Sequence, residues 1–315
     1  MSATRPKAEP RAQGGGVPAV AVLLGWFVPG AGHLYLGRIG VAAAGFVVVG
    51  GLYLLGLQLS GALTFEFLDP ELRGRFAVLL TPEVGNLGGV LLQFQRNPLA
   101  GQPYQPAAYP AGIFLGSWLT ALSGVANIAL LVHAHFEARK PNVQGVGTNS
   151  PAVQVAAGWL LPGLGHFLQG RVKRGLWVAL VLIGLFTVGC ILSEGTNLSR
   201  ERHFYFWSGQ FLVGLPAAVA EFASGRPVWD HEIPLLDYGL FYASLAGLLN
   251  LLVLIDVYSW QESRLLGLDP VEDRRAQKAG KPKNASKSKG ASEPAAAAST
   301  AKRKHLVGSD PEAGQ

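Results

Sequence analysis

The chain has 315 residues, 49% of them hydrophobic and only 15% charged, against about 25% charged in a soluble domain. Its one cysteine, Cys190, excludes an internal disulfide framework and a thiolate zinc site. The net charge of +6 is concentrated: residues 270–315 hold ten Lys and Arg and five Asp and Glu, so the body is nearly neutral and the basic balance says little about its partners.

Residues 1–17 are polar, carry Arg5, Lys7 and Arg11, and are expected to be disordered. The apolar stretch Val17 to Leu36 follows, interrupted at Pro29-Gly30. Basic residues ahead of an apolar run also suit a secretion signal, but the same motif returns at 151–171, where no signal can stand. Gly40 to Phe65 is free of charge and meets the length of about 20 residues that a bilayer core requires. The middle region, 66–109, mixes Pro, Gly and balanced charge with a shorter apolar stretch. Ala111 to Val132 is another uncharged run, followed by His133 and Arg139-Lys140. These runs are apolar all round, unlike the one-sided helices of soluble proteins.

Beyond a linker at 141–150, the segment Ala152 to Leu168 is again broken by Pro-Gly. Gly175 to Ser193 and Tyr238 to Ile255 are the matching long runs, the second stopped by Asp256. Between them, Phe204 to Ala220 is weakened as a span by Gly209, Gly214 and Pro216, and is expected to be interfacial or re-entrant. The tail at 265–315 is Lys/Ala-rich with almost no large apolar residue, a composition that predicts disorder.

Residues 18–38 and 151–171 match without a gap at an offset of 133. Pro18, Ala19, Val20, Val22, Gly25, Trp26, Pro29, Gly30, Gly32, His33, Gly37 and Arg38 recur as Pro151, Ala152, Val153, Val155, Gly158, Trp159, Pro162, Gly163, Gly165, His166, Gly170 and Arg171, 12 of 21 positions. Generic hydrophobicity would not repeat Trp, Pro, His and Arg in register. A second echo, at an offset of 123, pairs Gly124 and Asn127 with Gly247 and Asn250; six residues after each Asn stands His133 or Asp256. The expected fold is therefore an all-α integral membrane protein of about six apolar helices in two repeats, 18–140 and 151–264.

Basic residues near both ends of the chain predict that both termini are cytoplasmic, with the chain in the inner (cytoplasmic) membrane. An even number of crossings follows. Six crossings, with the two copies opposed in the membrane, are expected. The alternative of four treats the Pro-Gly segments as re-entrant and keeps Arg38, Arg171, Lys173 and Arg174 on one side; its non-helical backbone must then be buried in protein.

Within the repeated motif, Pro and Gly stop the helix. Gly32 and Gly37 allow close approach of helices. Trp26 and Trp159 suit headgroups, and Arg38 and Arg171 suit phosphates or a capped turn. His33 and His166 are chemically the most versatile members, yet a neutral His bonded within a turn is the more usual use of the residue. His133 and His135, two apart on a helix, point to different faces. No catalytic motif is visible, and no cofactor or metal is expected.

PGAGHLYLGR (29–38) and PGLGHFLQGR (162–171) resemble the hairpin turn of the two-transmembrane (TM-two) domain class and its bacterial relatives. The doubled unit with Gly247, Asn250 and Asp256 resembles an uncharacterised bacterial membrane family known only as a domain of unknown function. The resemblance implies a membrane hairpin scaffold and no activity. The Asp-Arg-Phe type triplet of the animal members is absent here, and His133 stands where Asp is expected.

The function expected is a non-enzymatic membrane scaffold or assembly factor. A small transporter using the repeat interface is the alternative. The bilayer is the expected partner, with anionic lipid contacting the basic tail; nucleic acid is the disfavoured rival, and no protein partner or oligomer is assigned.

Overall fold

The computed structural model describes residues 15–65, 77–96, 110–139, 147–225 and 230–268. The expectations for residues 1–14, for 141–146 of the linker and for the tail from 269 onward lie outside these residues. Among the described residues, every regular element is helical.

The first copy comprises α1 (Pro18–Phe27), α2 (Ala31–Tyr35), α3 (Ile39–Ser60), a 3-10 turn (Pro82–Asn86) leading into α4 (Leu87–Arg96), and α5 (Ile113–Arg139). The second comprises α6 (Pro151–Leu160), α7 (Leu164–Leu168), α8 (Val172–Leu192), α9 (Phe204–Gln210), a 3-10 turn (Phe211–Val213), α10 (Leu215–Ser224) and α11 (Leu236–Leu265). Both α1 and α6 begin on a proline, in the first turn where the missing N–H has no helical partner to lose.

Four helices, α3, α5, α8 and α11, are long and apolar enough to cross a membrane. The shortest, the 21-residue α8, is about 31 Å long at 1.5 Å per residue, enough for a hydrocarbon core of about 30 Å. By contrast, α1 and α6 have ten residues each, about 15 Å, or half a crossing. Of the six apolar segments read from the sequence, four reach spanning length and the two Pro-Gly segments are half-length hairpins.

The outward faces of α3 and α8 carry large apolar side chains, among them Phe46, Val47, Trp177, Leu180 and Ile191, while Asn127, Asn250, Glu83 and Arg200 are buried. So extensive an exposed apolar surface is rare on a soluble monomer and fits a membrane protein. Inside each copy the long helices cross on glycines. A Cβ on Gly56 would fall against the Gly116 carbonyl, and one on Gly189 against Gly239. Without a hydrophobic drive between helices in lipid, such close backbone contact supplies the packing attraction. Between the copies, Trp118 of α5 meets Trp207 edge-on, with ring centroids 5.7 Å apart.

The copies run the same way. At the C-terminal ends of α5 and α11, His135 Nδ1 lies 2.5 Å from the Tyr258 hydroxyl, and Arg139 Nη1 lies 2.9 Å from Glu262 Oε1. Opposed copies would hold these two ends a bilayer apart, so the expected inverted arrangement is corrected. Its premise was that three segments per copy cross, and α1 and α6 are too short for that.

Candidate functional site

The repeated motif folds as a hairpin whose backbone is nearly the same in both copies. After α1, Val28 is extended and Gly30 takes φ 84°; after α6, Leu161 is extended and Gly163 takes φ 89°. A side chain at either glycine would be strained by its φ and would also strike the first turn of the next long helix, at Ala42 or at Gly175. The short α2 and α7 then fold back. A Cβ on Gly32 would meet the Ala21 carbonyl, and one on Gly165 the Gln154 carbonyl. The turn closes when the amides of Arg38 and Arg171 donate to the carbonyls of His33 and His166, at 2.8 and 2.9 Å. Both ends of the first hairpin lie at one level: the Val17 amide donates to the Tyr35 hydroxyl at 3.2 Å.

His33 and His166 are each 1% exposed, but their partners differ. His33 Nε2 shares a hydrogen bond with His133 Nδ1 at 2.8 Å, the rings stacked 5.0 Å apart. Burial, reinforced by His133, pushes the His33 pKa down to about 4, so the ring is neutral at pH 7. His166 instead donates through Nε2 to Asp256 at 3.2 Å, and Arg171 and Arg174 reach the same carboxylate at 3.2 and 3.0 Å. In the first copy Arg38 pairs with Glu137, one turn beyond His133. His133 and His135 do face different partners, as their spacing predicts. Among the described residues no group of three or more His, Cys, Asp or Glu is placed to hold a metal.

The second motif explains how the broken backbone is satisfied. Gly124 is where the 3-10 turn presses on α5, since a Cβ there would strike the Pro82 carbonyl; Gly247 serves the same end against Gly209. One turn further, Asn127 Nδ2 donates to the carbonyls of Gly25 at 3.0 Å and Gly85 at 2.8 Å. Asn250 Nδ2 donates to Gly158 at 3.3 Å and Leu212 at 2.8 Å. Each asparagine thus ties the end of the Pro-Gly hairpin to the break in the middle region. Both are 0% exposed, and carbonyls left unpaired there would each carry a desolvation penalty of about 1–3 kcal/mol.

The tryptophans turn inward rather than toward a headgroup layer. Trp26 Nε1 donates to the Val84 carbonyl at 2.6 Å, and Trp159 packs on Phe211 with centroids 5.7 Å apart. Arg171 lies over the Trp260 ring at 5.2 Å.

A model of a family of unknown function (DUF6677) matches residues 20–144 and, a second time, residues 153–268. The chain belongs to this family. It carries two DUF6677 units, whose boundaries fall close to those of the internal repeat. No curated protein and no solved structure matches the chain.

Sequence reasoning missed several members of the DUF6677 unit. Extending the offset of 133 reaches Gly56/Gly189 and Ser60/Ser193, and extending 123 reaches Gly116/Gly239; these glycines make the helix crossings. It also missed the buried Glu83–Arg200 pair, which has no counterpart motif and joins residues 117 positions apart.

Proposed function

We propose that this DUF6677 protein is a non-enzymatic membrane scaffold with four crossings. In this reading the two half-length hairpins dip in from the cytoplasmic side and return to it, and both termini are cytoplasmic. The observation that carries it is the use of the repeated polar groups: Asn127 and Asn250 each hold two broken segments together, a structural rather than a chemical role. Orientation rests on charge. Among the described residues, Arg38, Arg139, Arg171, Lys173, Arg174 and Arg264 belong to the end where α5 and α11 finish, while Arg200 and Arg202 stand at the other, the excess of Lys and Arg expected of a cytoplasmic face. The resemblance of the hairpins to TM-two units agrees with an anchoring role. The basic tail follows the last crossing directly, which favours anionic lipid as its contact, at about 1 kcal/mol per Lys or Arg near the surface.

The scaffold reading is tested with the full chain in two experiments. Photo-crosslinking from Lys173 in cells should yield a discrete protein adduct, and purified protein in liposomes should leave permeability to ions and small polar solutes unchanged. Specific solute flux without an adduct would replace this reading with the transporter alternative. That alternative is favoured by one feature, the broken helices that meet inside each copy.

A further inference from the structure

The two copies differ where they touch at the end away from Arg38. Glu83, from the middle region of the first copy, is 0% exposed, and Arg200, from that of the second, is 1% exposed. Arg200 Nη1 donates to Glu83 Oε1 at 2.7 Å, and Thr120 Oγ1 donates to the same oxygen at 3.0 Å. Phe65, Phe204 and Trp207 lie 5.9, 5.0 and 4.7 Å from the guanidinium carbon. Yet Glu83 Oε2, Arg200 Nε and Nη2, and the Ser117 hydroxyl, all buried, have no hydrogen-bond partner among the described residues. Four orphaned atoms fall on three residues joined through Arg200, whose Nη1 also reaches the Ser117 carbonyl at 3.4 Å.

The second copy solves the same position without charge. Gln210 occupies the place of Glu83, because Gly85 and Leu212 are the equivalent carbonyls bonded by Asn127 and Asn250. It exchanges hydrogen bonds with Asn197 at 2.7 and 2.8 Å. Thr120 and Ser117 become Ala243 and Leu240. Stability alone does not call for charges here, as an apolar pair of like volume is commonly as stable. A guanidinium and a carboxylate with vacant bonds are costly when dry.

We propose that Glu83, Arg200 and Ser117 enclose an internal water site between the copies. The occupant must donate to Glu83 Oε2 and accept from the Arg200 edge. It must be uncharged, because the pair is already neutral and a net charge in a low-dielectric core is expensive. With three rings around the guanidinium it must also be small, and water meets all three demands. The site deepens no part of the scaffold reading and stands or falls separately from it.

The test uses the full-length protein, 15N-labelled at arginine and alanine, in lipid bilayers, with magnetisation transferred from water. The Arg200 Nε–H signal is the one missing in Arg200→Lys; if that variant does not fold, through-bond correlation in the wild type assigns it. The expected result is transfer from water to Arg200 Nε–H, as for the half-exposed Arg174, while the fully buried Ala121 amide receives none. An Arg200 Nε–H as insulated as Ala121 would overturn the proposal.

Discussion

His135 and Tyr258 occupy the same position in the two copies, 123 residues apart, and they touch each other at 2.5 Å. Arg139 and Glu262, also 123 apart, do the same at 2.9 Å. Equivalent residues meet only where a pseudo-twofold axis passes between them. That axis therefore runs between the ends of α5 and α11, and it relates copies that point the same way along the bundle.

Reversing one partner of the second pair should expose this contact. Arg139→Glu and Glu262→Arg are each expected to lower the thermal midpoint in detergent, by a free energy near 1 kcal/mol given that Arg139 is 40% exposed. The double swap should recover most of the loss. Strictly additive losses would mean that the two side chains do not interact.

The asparagines are expected to matter more. Asn127→Ala and Asn250→Ala each take a side-chain donor from two carbonyls and remove a buried amide oxygen that has no hydrogen-bond partner among the described residues, so a net destabilisation of about 1–3 kcal/mol is expected. Equal melting of wild type and either variant would remove the asparagines from the account of the break.

Glycines supply a comparison within one scaffold. Gly124→Ala and Gly247→Ala place a methyl group against backbone carbonyls and should cost about 1–3 kcal/mol. Gly50→Ala and Gly184→Ala meet open space within their helices and should stabilise slightly, by roughly 0.5–1 kcal/mol. Comparable melts for all four would contradict the close crossing of the Pro82–Asn86 turn on α5 and of α9 on α11.

Much of this was legible in the sequence because the repeat is written in residues with few substitutes. Pro29-Gly30 and Pro162-Gly163 announce a break, and matched Trp, His and Arg announce a duplication. The crossing count was harder to read. Hydropathy counts apolar residues, whereas the positive φ of Gly30 and Gly163 halves the hairpin helices, so Val17–Leu36 looked like a span. The asparagines were visible as an echo, but their role depends on carbonyls 38 or more residues away in sequence. Glu83 and Arg200 were hidden for a simpler reason: a lone Glu and a lone Arg in loop-like segments read as surface charges until the fold buries them.

The histidines are expected to bind no metal. Each has a protein partner, His133 or Asp256, and elemental analysis of purified protein should find no stoichiometric metal. A metal present in wild type and lost in His33→Asn or His166→Asn would assign the hairpins a chemical role.

The most direct test of the four-crossing, same-direction arrangement is the side of the membrane on which residue 145, between the two copies, lies. Topology reporters fused after residues 10, 145 and 315 should all report the cytoplasm. Six crossings with opposed copies would put residue 145 outside while leaving the termini inside, and that result would contradict the account.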